Sequence, residues 1–406
     1  MPFLPQTRRQ RLTLCIMVVV LLLIAIDIYF GAQYSAQRDS NFRAFRWNSA
    51  TLWALKPSYQ GRAWNQPINT NSAGFRGSVE YPVKSTHAQR IITFGDSRTY
   101  GFGVKDDETY TSVLQAELRQ RGIDAETINA GVHGFSAVQC RAKLEQLLHY
   151  KPQAAVFAPG YNDRRYLIIR PVDASDSLPW IARIRKVVDV LQWSNTFFAF
   201  MYEVGKHKLT KLQQNPMGLD EVLPRVPKDT FHDELTKIIQ ICRENNIKPV
   251  FLKIYQDPGS FALVERAALL YRQDDYNETI ETIEEAMNTI PDRAYAMSRL
   301  ILGRAYQKLG QKEKAAEAFA NHHPIGSIFG ESVLRSEADY YAIYDQLSNQ
   351  YDVPLTDARK VMTVGIDNPR EAEDAFRTFF IDECHYSALG HERMGQRLAE
   401  ILTELF

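Results

Sequence analysis

The sequence predicts an α/β protein with a parallel sheet, carried behind an N-terminal membrane-spanning helix and interrupted by a helical insertion. Three observations predict it. An apolar run with a single charge stands near the start of the chain, at Leu12–Phe30. From Arg90 onward, short apolar runs alternate with amphipathic stretches, the pattern of strands joined by crossover helices. Tyrosine–proline periodicity of about 34 residues then appears in the second half. Composition bounds the reading. The 406 residues are 45% apolar and 24% charged, ordinary for a globular protein of two to three domains. Lys+Arg and Asp+Glu both number 48, so the basic excess of a nucleic-acid binder is absent and no nucleic-acid partner is expected. Four cysteines provide no disulfide framework, and the chain is long enough to bury a core without one.

Residues 1–31 read as a cytoplasmic tail and transmembrane anchor. LTLCIMVVVLLLIAIDIYF carries one charge, Asp27, and as a helix just spans a hydrocarbon layer of about 30 Å. Arg8, Arg9 and Arg11 precede it and hold the N-terminus in the cytoplasm, while Tyr29 and Phe30 suit an interfacial aromatic belt. The rival is a cleaved signal peptide, but Tyr34 is bulky where a cut after Ala36 needs a small residue. Cys15 lies at the front of the run, against a lipid-anchored cysteine. Both export readings place residues 32–406 outside the cytoplasm.

Residues 32–89 form a juxtamembrane segment with short strands around Thr70–Arg76. Residues 90–260 form the first part of the α/β domain. Ile91–Phe94 is a buried strand ended by Gly95, and Tyr110–Arg121 is a helix stopped at Gly122. Thr127–Ala130 is the second strand, Ala137–Tyr150 a helix stopped by Pro152, and Ala154–Ala158 the third strand. Phe231–Asn245 is an amphipathic helix leading to the fourth strand, Pro249–Ile254. Between them, residues 166–228 carry Trp180, Trp193, Phe197, Phe198 and Phe200 and a Pro-punctuated loop, as a lid or pocket wall or as a packing helix over the sheet.

Residues 261–324 follow the tetratricopeptide order: Leu302-Gly303, Tyr306, Ala315, Phe319, Pro324, with Tyr271 and Pro291 about one period upstream. Arg299 stands where the first aromatic belongs, and two repeats are fewer than stand alone. The insertion is either a docking surface for a protein partner or a hairpin inserted for packing. Residues 325–406 complete the domain with a short fifth strand, Val353–Leu355, and a closing helix, Ser387–Leu405.

Four stretches fall at predicted strand ends: Gly95-Asp96-Ser97, Asn129-Ala130-Gly131-Val132-His133-Gly134, Gly160-Tyr161-Asn162-Asp163, and Asp382-Glu383-Cys384-His385 before the last helix. In a parallel sheet these ends share one edge, where sites form. Together they resemble the motif blocks of the SGNH/GDSL hydrolase superfamily, in the order Ser, Gly, Asn, His. The resemblance covers about residues 90–406 apart from the insertion. Thr70–Gly77 (TNSAGFRG) also resembles the prelude of membrane-linked, often polysaccharide-associated, members. The resemblance implies a flavodoxin-like three-layer α/β/α fold and ester cleavage without cofactor or metal.

A serine hydroxyl needs a base within hydrogen-bond reach. The resemblance makes Ser97 the nucleophile, His385 the base and Asp382 the acceptor of its other ring N–H. The oxyanion donors are then the backbone N–H groups of Ser97 and Gly134 and the Asn162 amide. Each residue also has a structural reading: Ser97 as a helix cap, Asn162 and Asp163 in a turn, Asp382 as a cap of the last helix, and Gly131 as a rival to Gly134. Arg98 replaces the leucine of the GDSL name, and Arg164 and Arg165 follow the Asn block, either to meet an anionic substrate or as a solvated rim. Cys384 reads as packing. The expected substrate is an O-acyl or O-acetyl ester of a glycan or lipid in the bacterial periplasm, reached by a single-pass inner-membrane protein. The alternatives are an O-acyltransferase modifying an exopolysaccharide with the same residues, and a non-catalytic repeat scaffold. Glycine-rich phosphate loops and His-Glu-x-x-His are absent, and His322-His323 lacks ligand partners at metal spacing.

Overall fold

The computed structural model describes residues 8–33, 44–48, 50–63, 66–164, 194–196, 199–200, 203, 224–254, 266–267, 270–271, 273–289, 292–320, 337–366, 378–381 and 384–406. Trp180, Trp193, Phe197, Phe198, Arg165, His322, His323 and Asp382 lie outside the described residues.

The apolar run is helical, α1 (Arg8–Gln33). It has no polar face, and its side chains from Leu12 to Tyr29 stand largely uncovered, so its length and composition suit a membrane span or a signal sequence. Two antiparallel hairpins follow, β1 (Phe45–Asn48) with β2 (Leu52–Leu55), and β3 (Gln60–Ala63) with β4 (Gln66–Asn69).

The core is a five-stranded sheet: β5 (Gln89–Gly95), β6 (Ala125–Asn129), β7 (Ala154–Ala158), β8 (Lys248–Lys253) and β9 (Leu355–Asp357). The spatial order is β6-β5-β7-β8-β9, every pair parallel, with Ile92 opposite Ile128 and Thr93 opposite Val156. The order reverses direction between β5 and β7. In doubly wound sheets a ligand crevice opens at that point, outside the strands' carboxyl ends.

Both faces of the sheet are buried, and alternate side chains serve each. Ile92, Phe94, Ala155, Phe157 and Phe251 face the helices α4 (Ala137–Leu147), α6 (Lys228–Glu244) and α10 (Glu337–Tyr351). Ile91, Ala154, Val156, Val250 and Leu252 face α3 (Tyr110–Gln120) and α12 (Ala388–Leu405). Phe94 and Phe157 stack across neighbouring strands at 5.0 Å. The three-layer architecture expected from the sequence is therefore present. The remaining short helices of the domain are α2 (Ser97–Tyr100), α5 (Tyr161–Arg164) and α11 (Ala358–Met362).

Two elements differ from expectation. The fifth strand starts at Leu355 rather than Val353, because Pro354 has no N–H to give the ladder and offers only its carbonyl, to Phe251 N–H at 2.8 Å. The helix α10 was not expected. Its buried face is made of tyrosines, whose hydroxyls donate to Val226 O, Ile254 O and Pro159 O from Tyr340, Tyr341 and Tyr344 respectively. A tyrosine face blurs the apolar period that marks a helix in sequence.

Within residues 261–324 the structure places α7 (Tyr276–Thr289), α8 (Asp292–Lys308) and α9 (Lys312–Ala320). They share a core of their own that includes Tyr271, Ile283, Leu302, Tyr306 and Ala315. Gly303 is needed there: a Cβ would come within 2.6 Å of the Phe319 ring.

Candidate active site

The Ser97 turn is made by residues that permit a sharp reversal after β5. A Cβ on Gly95 would collide with the Thr99 side chain, and one on Gly131 would lie 2.4 Å from Tyr100 N. Asp96 caps α2, accepting from Arg98 N–H at 2.9 Å. Gly101 ends it at φ 84°, its N–H donating to Ser97 O at 3.0 Å. As the first helical residue, Ser97 has no intrahelical use for its own N–H, which meets no acceptor among the described residues.

His385 comes from the far end of the chain. A bridge between Phe380 and Tyr386 closes its loop, with Ile381 N–H donating to His385 O at 2.9 Å and Ser387 N–H to Phe379 O at 2.7 Å. Ser387 then caps α12. This places His385 Nε2 2.8 Å from Ser97 Oγ, across 288 residues of sequence. Both residues are half-buried. Phe102 lies against the imidazole, centroids 4.3 Å apart, and Cys384 Sγ is 3.6 Å from His385 Nδ1.

The Gly and Asn blocks join this pair through Asp96. Asn162 Nδ2 donates to Asp96 Oδ2 at 3.0 Å and to Phe135 O at 3.3 Å. Both neighbours are acceptors, which fixes the amide with its nitrogen inward. Gly134 has φ +75°, a conformation that suits glycine. Its peptide is held by Arg225, which donates to Gly134 O, and by Trp53 Nε1, which donates to His133 O at 2.8 Å. Gly134 N–H meets no acceptor among the described residues, whereas Gly131 N–H is already given to Asn129 Oδ1 at 3.0 Å. Of the two rival glycines, only Gly134 has a donor to spare.

Asp163 ties the Gly and Asn loops together. It is buried and accepts from Ala137 N–H at 2.7 Å, at the start of α4, and from Gly160 N–H at 2.8 Å. Burial raises its pKa to about 6, against the opposing pull of those bonds and of Arg225. With the folded pKa above the unfolded one, the folded state holds the extra proton. Stability therefore falls as pH rises from about 4 to about 6, by roughly 3 kcal/mol from this group. Asp163→Asn is expected to remove that slope, so the thermal midpoint of wild type relative to the variant should drop between pH 4 and pH 6. A parallel pair of curves would contradict it.

Burial, reinforced by His385 and Arg76, pushes the His133 pKa well below its ordinary value. It is a neutral ring 4.3 Å from Tyr100 and 5.8 Å from Phe102. Arg98 differs from expectation: it neither meets solvent nor lines a rim. It is fully buried, pairing with Asp96 through Nε at 3.1 Å and Nη2 at 3.0 Å, over the Tyr161 ring. Arg164 is buried as well, 5.5 Å from the same ring. Cys384 is buried as expected, and all four cysteines are free thiols.

The prelude supplies a residue that spacing alone did not single out. Asn71 Oδ1 accepts from Ala73 N–H and Phe75 N–H, Gly74 takes φ +79°, and Phe75 enters the core. This turn aims Arg76 at the loop after α2. Its guanidinium donates to Tyr100 O, Gly101 O and Val104 O at 2.6–2.7 Å and to Asp106 Oδ1 at 2.8 Å. That loop carries Phe102. The signal was the TNSAGFRG run itself.

Comparison with known proteins gives the family of the chain. Residues 93–297, half of the chain, match the GDSL-like lipase/acylhydrolase family. No curated protein matches the chain. Solved structures similar to it include the lipase/acylhydrolase from Enterococcus faecalis, 14% identical, covering 78% of this chain and 96% of that one with a TM-score of 0.39. Another is the psychrotrophic esterase EstA from Pseudoalteromonas sp., 12% identical over 78% of this chain and 98% of that one, TM-score 0.37. On the family match, the chain belongs to the GDSL-like lipase/acylhydrolase family and is an ester hydrolase.

Proposed function

We propose that the protein cleaves an O-acyl ester of a glycan or lipid outside the cytoplasm through an acyl-enzyme on Ser97. The observation that carries this reading is the 2.8 Å contact between His385 Nε2 and Ser97 Oγ. His385 takes the Ser97 proton as Oγ attacks the carbonyl carbon, then gives it to the departing alcohol oxygen. Water attacks the acyl-enzyme by the same route in reverse, releasing the acid and restoring Ser97. Asp382 accepts from His385 Nδ1 and holds the tautomer. The N–H groups of Ser97 and Gly134 meet the oxyanion, with the Asn162 amide turning one hydrogen from Phe135 O toward it. No resident cofactor enters these steps.

A fluorophosphonate tests the nucleophile directly. Wild type is expected to take up one label, on the Ser97 peptide, and labelling elsewhere or none would remove the reading. Asn162→Ala is expected to lower kcat for an aryl ester by about 10²–10³-fold, as for loss of one oxyanion donor. A near-wild-type kcat would show that the amide only secures Asp96.

A further inference from the structure

Asp27 is the only charged residue in the apolar run, and a carboxylate at that depth needs partners. It has four. Ser194 Oγ donates to it at 2.6 Å, and Asn195 Nδ2, Thr196 N–H and Thr196 Oγ1 each at 3.0 Å. Asn195 and Thr196 are helical, and so are Ala199, Phe200 and Glu203. Asp27 thus caps, from another helix, the N–H groups that a helix start leaves open.

Coverage along α1 tells the same story. Among its described side chains only Asp27, Phe30 and Gly31 are half-buried, while the rest of the helix stands exposed. These positions are i, i+3 and i+4, one face of the last turns. Gly31 is what lets Asn195 approach, since a Cβ there would lie 2.7 Å from Asn195 Nδ2. A charge, a missing side chain and four donors are therefore matched to one another.

We propose that Ser194, Asn195 and Thr196 dock on the Asp27–Gly31 face and that Phe200, just beyond them, makes a second membrane contact by inserting into the boundary of the bilayer. The partner surface is lipid, because the segment is seated on a helix that is itself apolar all round. Asp27 lies about 4.5 Å inside the end of the apolar run. Phe200 is four residues beyond Thr196, which at the rise of a helix is at most about 6 Å from that depth, within reach of the headgroup–acyl boundary in either direction. Ala199 beside it is buried, whereas Phe200 is exposed, so the apolar ring is presented outward. The hydrolase body is then held against the bilayer rather than swinging on a tether, and α1 is a permanent part of the fold. This rests on α1 as a membrane span, and not on the catalytic roles of Ser97 or His385.

The test uses the full chain with Cys15→Ser and Phe200→Cys, labelled with bimane and reconstituted in phosphatidylethanolamine–phosphatidylglycerol vesicles containing spin-labelled lipid. The remaining cysteines are buried. The bimane is expected to be quenched by the lipid, and the quenching to be lost in Asp27→Ala and in Gly31→Leu, with aryl-ester turnover in solution unchanged. Gly31→Leu leaves α1 as apolar as before, so its effect is on docking alone. An unquenched label in the parent, or quenching retained in both variants, overturns the proposal. Release of the parent chain from vesicles by alkaline carbonate overturns the membrane span beneath it.

Discussion

Replacing Ser97 with alanine is expected to lower kcat/KM for an aryl ester by about 10⁴–10⁶-fold, the range lost when a nucleophile that works with a base is removed. The variant keeps the oxyanion donors, so a small residual rate over water should remain. The Ser97 side chain is half-buried at the start of α2, and neither the cap from Asp96 nor the Gly101 closure involves its hydroxyl. Folding should therefore survive, and circular dichroism would check it. His385→Ala is expected to cost a similar factor, and the double variant no more than either single one, because the two side chains act as one unit. Initial rates over a range of ester concentrations decide this. Independent losses that multiply would mean that the 2.8 Å contact does not couple them.

Asp96→Ala is expected to destabilise the fold by about 3–5 kcal/mol, since it strands the fully buried Arg98 without its counter-charge. The thermal midpoint should fall by about 10 °C, at roughly 2–4 °C per kcal/mol for a domain of this size. Activity should fall with it, because Asn162 loses the acceptor that orients its amide. Arg98→Met tests the cause. In the Asp96→Ala background it removes the stranded charge and is expected to restore part of the midpoint, though not the Asn162 geometry. A midpoint that moves by less than about 3 °C in Asp96→Ala, equivalent to about 1 kcal/mol, would place the pair among those that contribute little.

The four motif blocks were legible by their resemblance to the SGNH/GDSL pattern, and strand ends of a parallel sheet share an edge, so Ser97, Gly134 and Asn162 had one place to meet. His385 follows no strand of the sheet; it was legible from the resemblance, standing just before the helix that packs on that sheet. Arg98 was not. Its side chain folds back two residues onto Asp96, under a tyrosine ring supplied from residue 161, and nothing in the linear order separates that from a solvated arginine. The resemblance already favoured Gly134 over Gly131, and the structure adds a reason that only a side chain could supply: Asn129 uses up the Gly131 N–H. The tyrosines of α10 hid a helix because each hydroxyl reads as polar until its carbonyl partner is known. Asp382 lies outside the described residues, and its part in the site stands on the resemblance and on its proposed role toward His385.

The path of the chain through the sheet has a temporal consequence. Ribosomes deliver the N-terminal end first, yet the imidazole that meets Ser97 is held by a loop and helix from the final portion of the polypeptide. The intervening helices of residues 276–320 must be made, and the gap they span must close, before β9 and α12 dock. An incompletely synthesised chain, or one clipped near its carboxyl terminus, therefore holds its serine without the partner that sits beside it in the finished fold.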